Sequence, residues 1–155
     1  MKLTLTRALN ILHKLKLKKK LTIVLPEKES EKTDTFVEDY STLMLALGSG
    51  KLPNDLRLRM APFILNETQL MQIKEALTSG YCPQGLELDF NCKDMRSVMS
   101  DDIRNHLIKN LVDALLSGHC PEGLSLQLRS NDLRNHDAFA FADALISGQC
   151  PTKLE

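Results

Sequence analysis

Residues 114–128 read Ala114-Leu-Leu-Ser-Gly118-His-Cys120-Pro121-Glu-Gly123-Leu124-Ser-Leu126-Gln-Leu128, and the same phrase stands earlier as Ala76-Leu-Thr-Ser-Gly80-Tyr-Cys82-Pro83-Gln-Gly85-Leu86-Glu-Leu88-Asp-Phe90. A diverged copy runs from Ala46 through Gly50 and Pro53 to Leu56, Leu58 and Met60. A shorter copy runs from Ala144 through Gly148, Cys150 and Pro151 to Leu154. Leu21, Ile23 and Leu25 form a degenerate first copy. From Leu21 through Leu56, Leu86, Leu124 and Leu154 the steps are 35, 30, 38 and 30 residues. Repetition on this scale predicts a stacked array of like units.

Each part of the phrase has a physical role. Leu-x-Leu-x-Leu alternates with period two, so it predicts a short strand with one buried face. Gly50, Gly80, Gly118 and Gly148 stand where a helix wants a left-handed residue at its end, and a proline three positions on prevents resumption. The helices lie between the strands. Tyr40/Leu43/Ala46/Leu47, Leu70/Ile73/Ala76/Leu77, Ile108/Leu111/Ala114/Leu115 and Ala138/Phe141/Ala144/Leu145 share i, i+3, i+6, i+7 spacing and make one apolar stripe. Asn66 with Gln69 predicts a capping box, and Ser100 before Asp101 and Asp102 predicts a second helix start. Strands joined by helices run parallel. One strand with one helix cannot bury both its faces, so stacking must do it.

The run Leu124-Ser-Leu126-Gln-Leu128-Arg-Ser-Asn131-Asp-Leu133 fits L-x-L-x-L-x-x-N-x-L, and the chain resembles leucine-rich-repeat proteins of the ribonuclease-inhibitor-like class. The Ser-Gly-x-Cys-Pro-x-Gly-Leu phrase is similar to repeats of leucine-rich effectors from intracellular bacterial pathogens. The resemblance covers about residues 17–155. It implies an α/β leucine-rich-repeat solenoid of about four to five units, with a curved parallel sheet on the concave side and helices on the convex side. Residues 1–20, with Ala8, Leu9, Leu12 and Leu15 on one face, are expected to form a helical cap on a single domain spanning 1–155. The chain departs from the pattern at the asparagine position, which holds Asn131 once but Lys93 and Phe63 in the preceding units. The 38-residue step predicts a longer connection or helix. The strand opening at Leu154 is cut short. The expectation is a longer parent protein, or an open edge that pairs with a second chain.

In such strands the leucines point inward and the residues between them face outward. The expected concave surface is Thr22 and Val24, Arg57 and Arg59, Glu87 and Asp89, Ser125 and Gln127, with Arg129 just beyond. Its functional reading is a partner-binding surface of mixed charge. Its structural reading is cross-strand pairing of Arg57 and Arg59 with Glu87 and Asp89. The resemblance implies a protein-interaction module rather than an enzyme, in effector form one secreted into a host cell to bind a host protein. Two alternatives stand beside it: a targeting or regulatory repeat domain of a larger enzyme, and a membrane-surface binder acting through the basic N-terminus.

Composition narrows these readings. The 155 residues carry 20 basic and 20 acidic side chains, so no net charge draws the chain to nucleic acid or membrane. Lys14, Lys16 and Lys18–Lys20 make a local basic run, but the chain has no Trp, two Tyr and five Phe, too few aromatics to stack bases. No stretch approaches the ~20 apolar residues of a membrane span. The N-terminus lacks a signal peptide's apolar core and cleavage site, which points to a reducing cytosol. Cys82, Cys92, Cys120 and Cys150 form no C-x-x-C pair, and three of them recur with the repeat as a ladder of small apolar side chains. His13, His106, His119 and His136 have no catalytic or metal spacing, and His106 is expected to pair with Asp102 four residues earlier. Each repeat glycine follows a helix, whereas a phosphate loop precedes one. No catalytic residue, metal or cofactor is expected.

Overall fold

The alternating leucines form strands in the computed structural model, which describes residues 21–26, 32, 34–91, 100–129 and 133–154. Each strand is three residues long: β1 Thr22–Val24, β2 Arg57–Arg59, β3 Glu87–Asp89 and β4 Ser125–Gln127. They make one parallel sheet in the order β1-β2-β3-β4. The register stacks Ile23, Leu58, Leu88 and Leu126 in one row. The first three of these are fully buried. Backbone bonds continue past the formal strands, as where the Met60 N–H donates to the Asp89 carbonyl and the Phe90 N–H to that of Gln127. The flanking Leu56, Met60, Leu86 and Phe90 are therefore as buried as the central leucines.

A helix follows every strand: α1 Phe36–Leu47, α2 Glu67–Thr78, α3 Asp101–Leu116 and α4 Asn135–Ile146. The molecule is thus an α/β strand–helix repeat arrangement with four parallel strands and four helices among the described residues. Both start signals hold. Asn66 Oδ1 accepts from the Gln69 N–H at 2.9 Å while Gln69 Oε1 accepts from the Asn66 N–H at 3.0 Å. Ser100 Oγ accepts from the Ile103 N–H. The long step is accommodated in part by α3, which has 16 residues where the others have 12.

The helix ends explain the recurring phrase. Gly80, Gly118 and Gly148 all have positive φ immediately after a C-terminal serine. They also allow close stacking. A Cβ on Gly118 would come within 2.8 Å of Gln149 Oε1 in the next unit. The cysteines have a polar duty as well. The thiols of Cys82, Cys120 and Cys150 donate to the carbonyls of Ala76, Ala114 and Ala144 at 3.2–3.3 Å. Each shares a helix-end carbonyl with the C-cap serine, whose N–H or hydroxyl donates to the same oxygen.

Leu154 packs against the core and residues 151–154 form a turn; by the register of the earlier copies, the strand positions of this one begin at residue 155, outside the described residues. One expectation needs correction. His106 Nδ1 lies 2.8 Å from the backbone carbonyl of Asp102, not its carboxylate, and 3.6 Å from Glu67 Oε1. The expected helical cap over 1–20, with the basic run Lys14–Lys20 and His13, lies outside the described residues, as do Cys92, Lys93 and Asn131. No helix among the described residues is long and apolar enough to cross a membrane.

Candidate functional site

Pleating turns the residues between the leucines to the face opposite the buried row. Register then aligns them across the sheet: Thr22, Arg57, Glu87 and Ser125 in one row, Val24, Arg59, Asp89 and Gln127 in the next. All are partly exposed except Asp89, which is 3% exposed. The sheet therefore brings together every residue singled out from sequence on this face, but it withdraws one of them from solvent.

Asp89 is withdrawn because Arg57 covers it. Arg57 Nη2 donates to Asp89 Oδ2 diagonally across two strands, and Arg57 Nε lies 3.1 Å from Glu87 Oε1 directly opposite. The bond to Asp89, with the two nearby carboxylates, holds the Arg57 guanidinium charged and raises its already high pKa, partly offset by burial. Asp89 Oδ1 accepts the Asn91 N–H at 3.0 Å, and Asn91 Oδ1 accepts the Arg129 N–H at 2.8 Å. Gln127 Nε2 donates to Ser125 Oγ at 3.2 Å. The result is a cross-strand network running from β2 to the end of β4. Asn91 is its hidden member. It sits past the alternating leucines, where period-two counting assigns no face.

The electrostatics differ across the face. On β2 and β3 the charges satisfy each other. A newcomer would have to compete with a buried, charge-assisted pair to reach Asp89. Toward β4 the face carries the neutral Ser125 and Gln127 and the exposed Arg129. Arg59 on β2 and Gln127 on β4 are half-buried in the same row, on either side of Asp89.

A second charged cluster joins α3 to α4. Arg104, 2% exposed, donates to Asp101 Oδ1 at 2.8 Å and to Asn105 Oδ1 at 3.3 Å, and lies 3.9 Å from Asp137 Oδ2. Arg134 reaches both oxygens of Asp101 at 2.7 and 2.9 Å. The Arg134 and Arg104 bonds hold the Asp101 carboxyl below its usual range. Arg104 lies one turn before Ile108 on the buried stripe of α3, where a charged residue interrupts the apolar pattern. This cluster locks adjacent units together and offers no open substrate position.

Between α1 and α2 lies a shallow hollow of about 230 Å³ lined by Ser41, Leu45, Gly48, Gln72 and Glu75 among others. That is below the ~300–1,000 Å³ of ordinary small-molecule sites. Among the described residues, no three His, Cys, Asp or Glu side chains are grouped to hold a metal. No family model, curated protein or solved structure matches this chain.

Proposed function

We propose that this chain is a leucine-rich-repeat solenoid of the ribonuclease-inhibitor-like class that captures a protein partner on its sheet face. The observation that carries the reading is the pair of mostly polar rows in register across four parallel strands, half-exposed except at Asp89 and opposite the buried leucine row. Arrays of this kind use such an extended surface for recognition. The Ser-Gly-x-Cys-Pro-x-Gly-Leu phrase extends the reading to a bacterial effector delivered into a host cell, with a host protein as partner. In this proposal the module itself carries no catalytic group.

The test must spare Arg57, because removing it would strand a buried carboxylate and confuse folding with binding. The informative variant combines Arg59→Glu, Gln127→Glu and Arg129→Glu. Affinity capture from host lysate, read by mass spectrometry, should recover a protein with the unmodified chain and lose it with the variant. The variant should keep its far-UV circular dichroism. Equal capture by the folded variant would refute the sheet face as the contact.

A further inference from the structure

The grooves between neighbouring helices repeat with the chain, but they are not filled alike. Ala46, Ala76 and Ala114 mark the same place in α1, α2 and α3, at steps of 30 and 38 residues. By that register Lys74 and Asp113 hold, in the α2–α3 groove, the places of Met44 and Glu75 in the α1–α2 groove. In the α2–α3 groove Lys74 Nζ donates to Asp113 Oδ2 at 2.9 Å. In the α1–α2 groove Met44 is buried and uncharged, Glu75 is exposed, and among the described residues no cation pairs with the Glu75 carboxylate. Ser41 and Gly48 also stand where Met71 and Thr78 stand one unit on. These smaller residues leave the hollow of about 230 Å³ between α1 and α2.

The lining matches a lysine side chain. Met44, Leu45 and Ala76 supply apolar wall, and Leu45 is 76% exposed although acids hold its place in the later units, as Glu75, Asp113 and Asp143. Such a wall suits the methylene stem of a lysine, whose charged head seeks a polar end. That end is present. Gln72 Nε2 donates to Ser41 Oγ at 3.0 Å, which leaves Gln72 Oε1 buried without a donor, and Glu75 lies in the same lining. The hollow also reaches Gly48 and Ser79, the C-caps of α1 and α2. Helix dipoles favour a cation there, and neither helix carries a basic residue in its last turn. The groove therefore lacks the one charge that Lys74 supplies in the next groove.

We propose that the α1–α2 groove takes an exposed lysine of a protein partner, with its ammonium on Glu75 and its stem against Leu45, as Lys74 meets Asp113 in the next groove. This does not depend on the sheet-face reading, since the groove lies between helices and shares no residue with that face. The test titrates the full, isotope-labelled chain with a Gly-Lys-Gly peptide blocked at both ends and follows the backbone amides by NMR. The lysine peptide should shift the amides of Leu45, Gly48, Gln72 and Glu75, and less so at high salt. The same peptide with norleucine in place of lysine should not. Glu75→Lys should weaken binding by roughly fivefold or more. Met44→Lys places the cation within the chain and should abolish peptide binding. Glu75→Gln, at an exposed position, gives the same readout should Met44→Lys not fold. Equal binding of the norleucine peptide, indifference to Glu75→Lys, or shifts spread evenly over Glu38, Asp39 and Asp101 would overturn the proposal. So would a shift of the groove amides in the peptide-free chain on changing Lys14, Lys16 and Lys18–Lys20 to Gln, which would make the chain's own basic run the occupant.

Discussion

Cys82 and Cys120 show how a small side chain acquires two roles at one position. Each fills space in the stack, and each donates its thiol proton to a helix-end carbonyl. Burial pushes the two thiols from an ordinary value of 9.0 up to about 12 and about 11, with the neighbouring cysteine of the next unit adding to the shift. A raised folded value means that the native state holds the proton more tightly than the unfolded chain. The associated stability is therefore complete below pH 9 and is lost as pH rises through the folded values. Alkylation under mildly alkaline native conditions should be slower at Cys82 and Cys120 than at a free thiol by roughly a hundredfold or more, since the thiolate is the reactive form. Peptide mass spectrometry would read each site separately, and reaction at the free-thiol rate would contradict the buried, donating thiol. The recurrence of cysteine was legible in sequence as a ladder. Its hydrogen bond was not, because the carbonyl acceptor lies six residues back and meets the sulfur only once the chain turns at Gly80 or Gly118.

At the level of elements, the joints between neighbouring helices are not alike. Lys74 Nζ meets Asp113 Oδ2 at 2.9 Å across α2 and α3, with both side chains about a third exposed. Such a pair contributes ~0–1 kcal/mol. The α3–α4 joint instead places Arg104 and Asp137 side by side, each almost wholly enclosed. Asp101 at the rim of this cluster is bound by Arg134 and Arg104, so its folded pKa lies below the usual 3.8. The sign follows from that depression. Stability from Asp101 is present above 3.8 and is lost as pH falls through the folded value. Thermal unfolding followed across the acid range should therefore show a decline there, and Asp101→Asn should flatten it while lowering stability at neutral pH. An unchanged acid limb in Asp101→Asn would assign the decline to other carboxylates. Helix starts were readable in advance because a cap is local: Asn66 and Gln69 are three residues apart. The α3–α4 cluster joins residues 33 positions apart, as in Arg134 with Asp101, beyond the reach of any local pattern.

Over the whole molecule, burial falls toward one end. Ile23, Leu58 and Leu88 are fully enclosed, whereas Leu126 of β4 and Phe141 of α4 are only half-buried. In a stacked array, where each unit is stabilised mainly by its neighbours, local opening should be easiest at that end. Amide hydrogen exchange should find β2, β3 and α2 protected most, and β4 and α4 least. Uniform protection would instead indicate a single cooperative unit. The alternation of leucines, the glycine stops and the helical stripe were enough to specify parallel strands each followed by a helix, because each signal acts within one or two turns of chain. Tertiary structure alone decided two further matters. It drew Asp89 from the sheet surface beneath Arg57, through a diagonal contact between residues 32 positions apart on adjacent strands. It enclosed Arg104 beside Asp137 between α3 and α4, because only the packing of neighbouring units brings those two residues together.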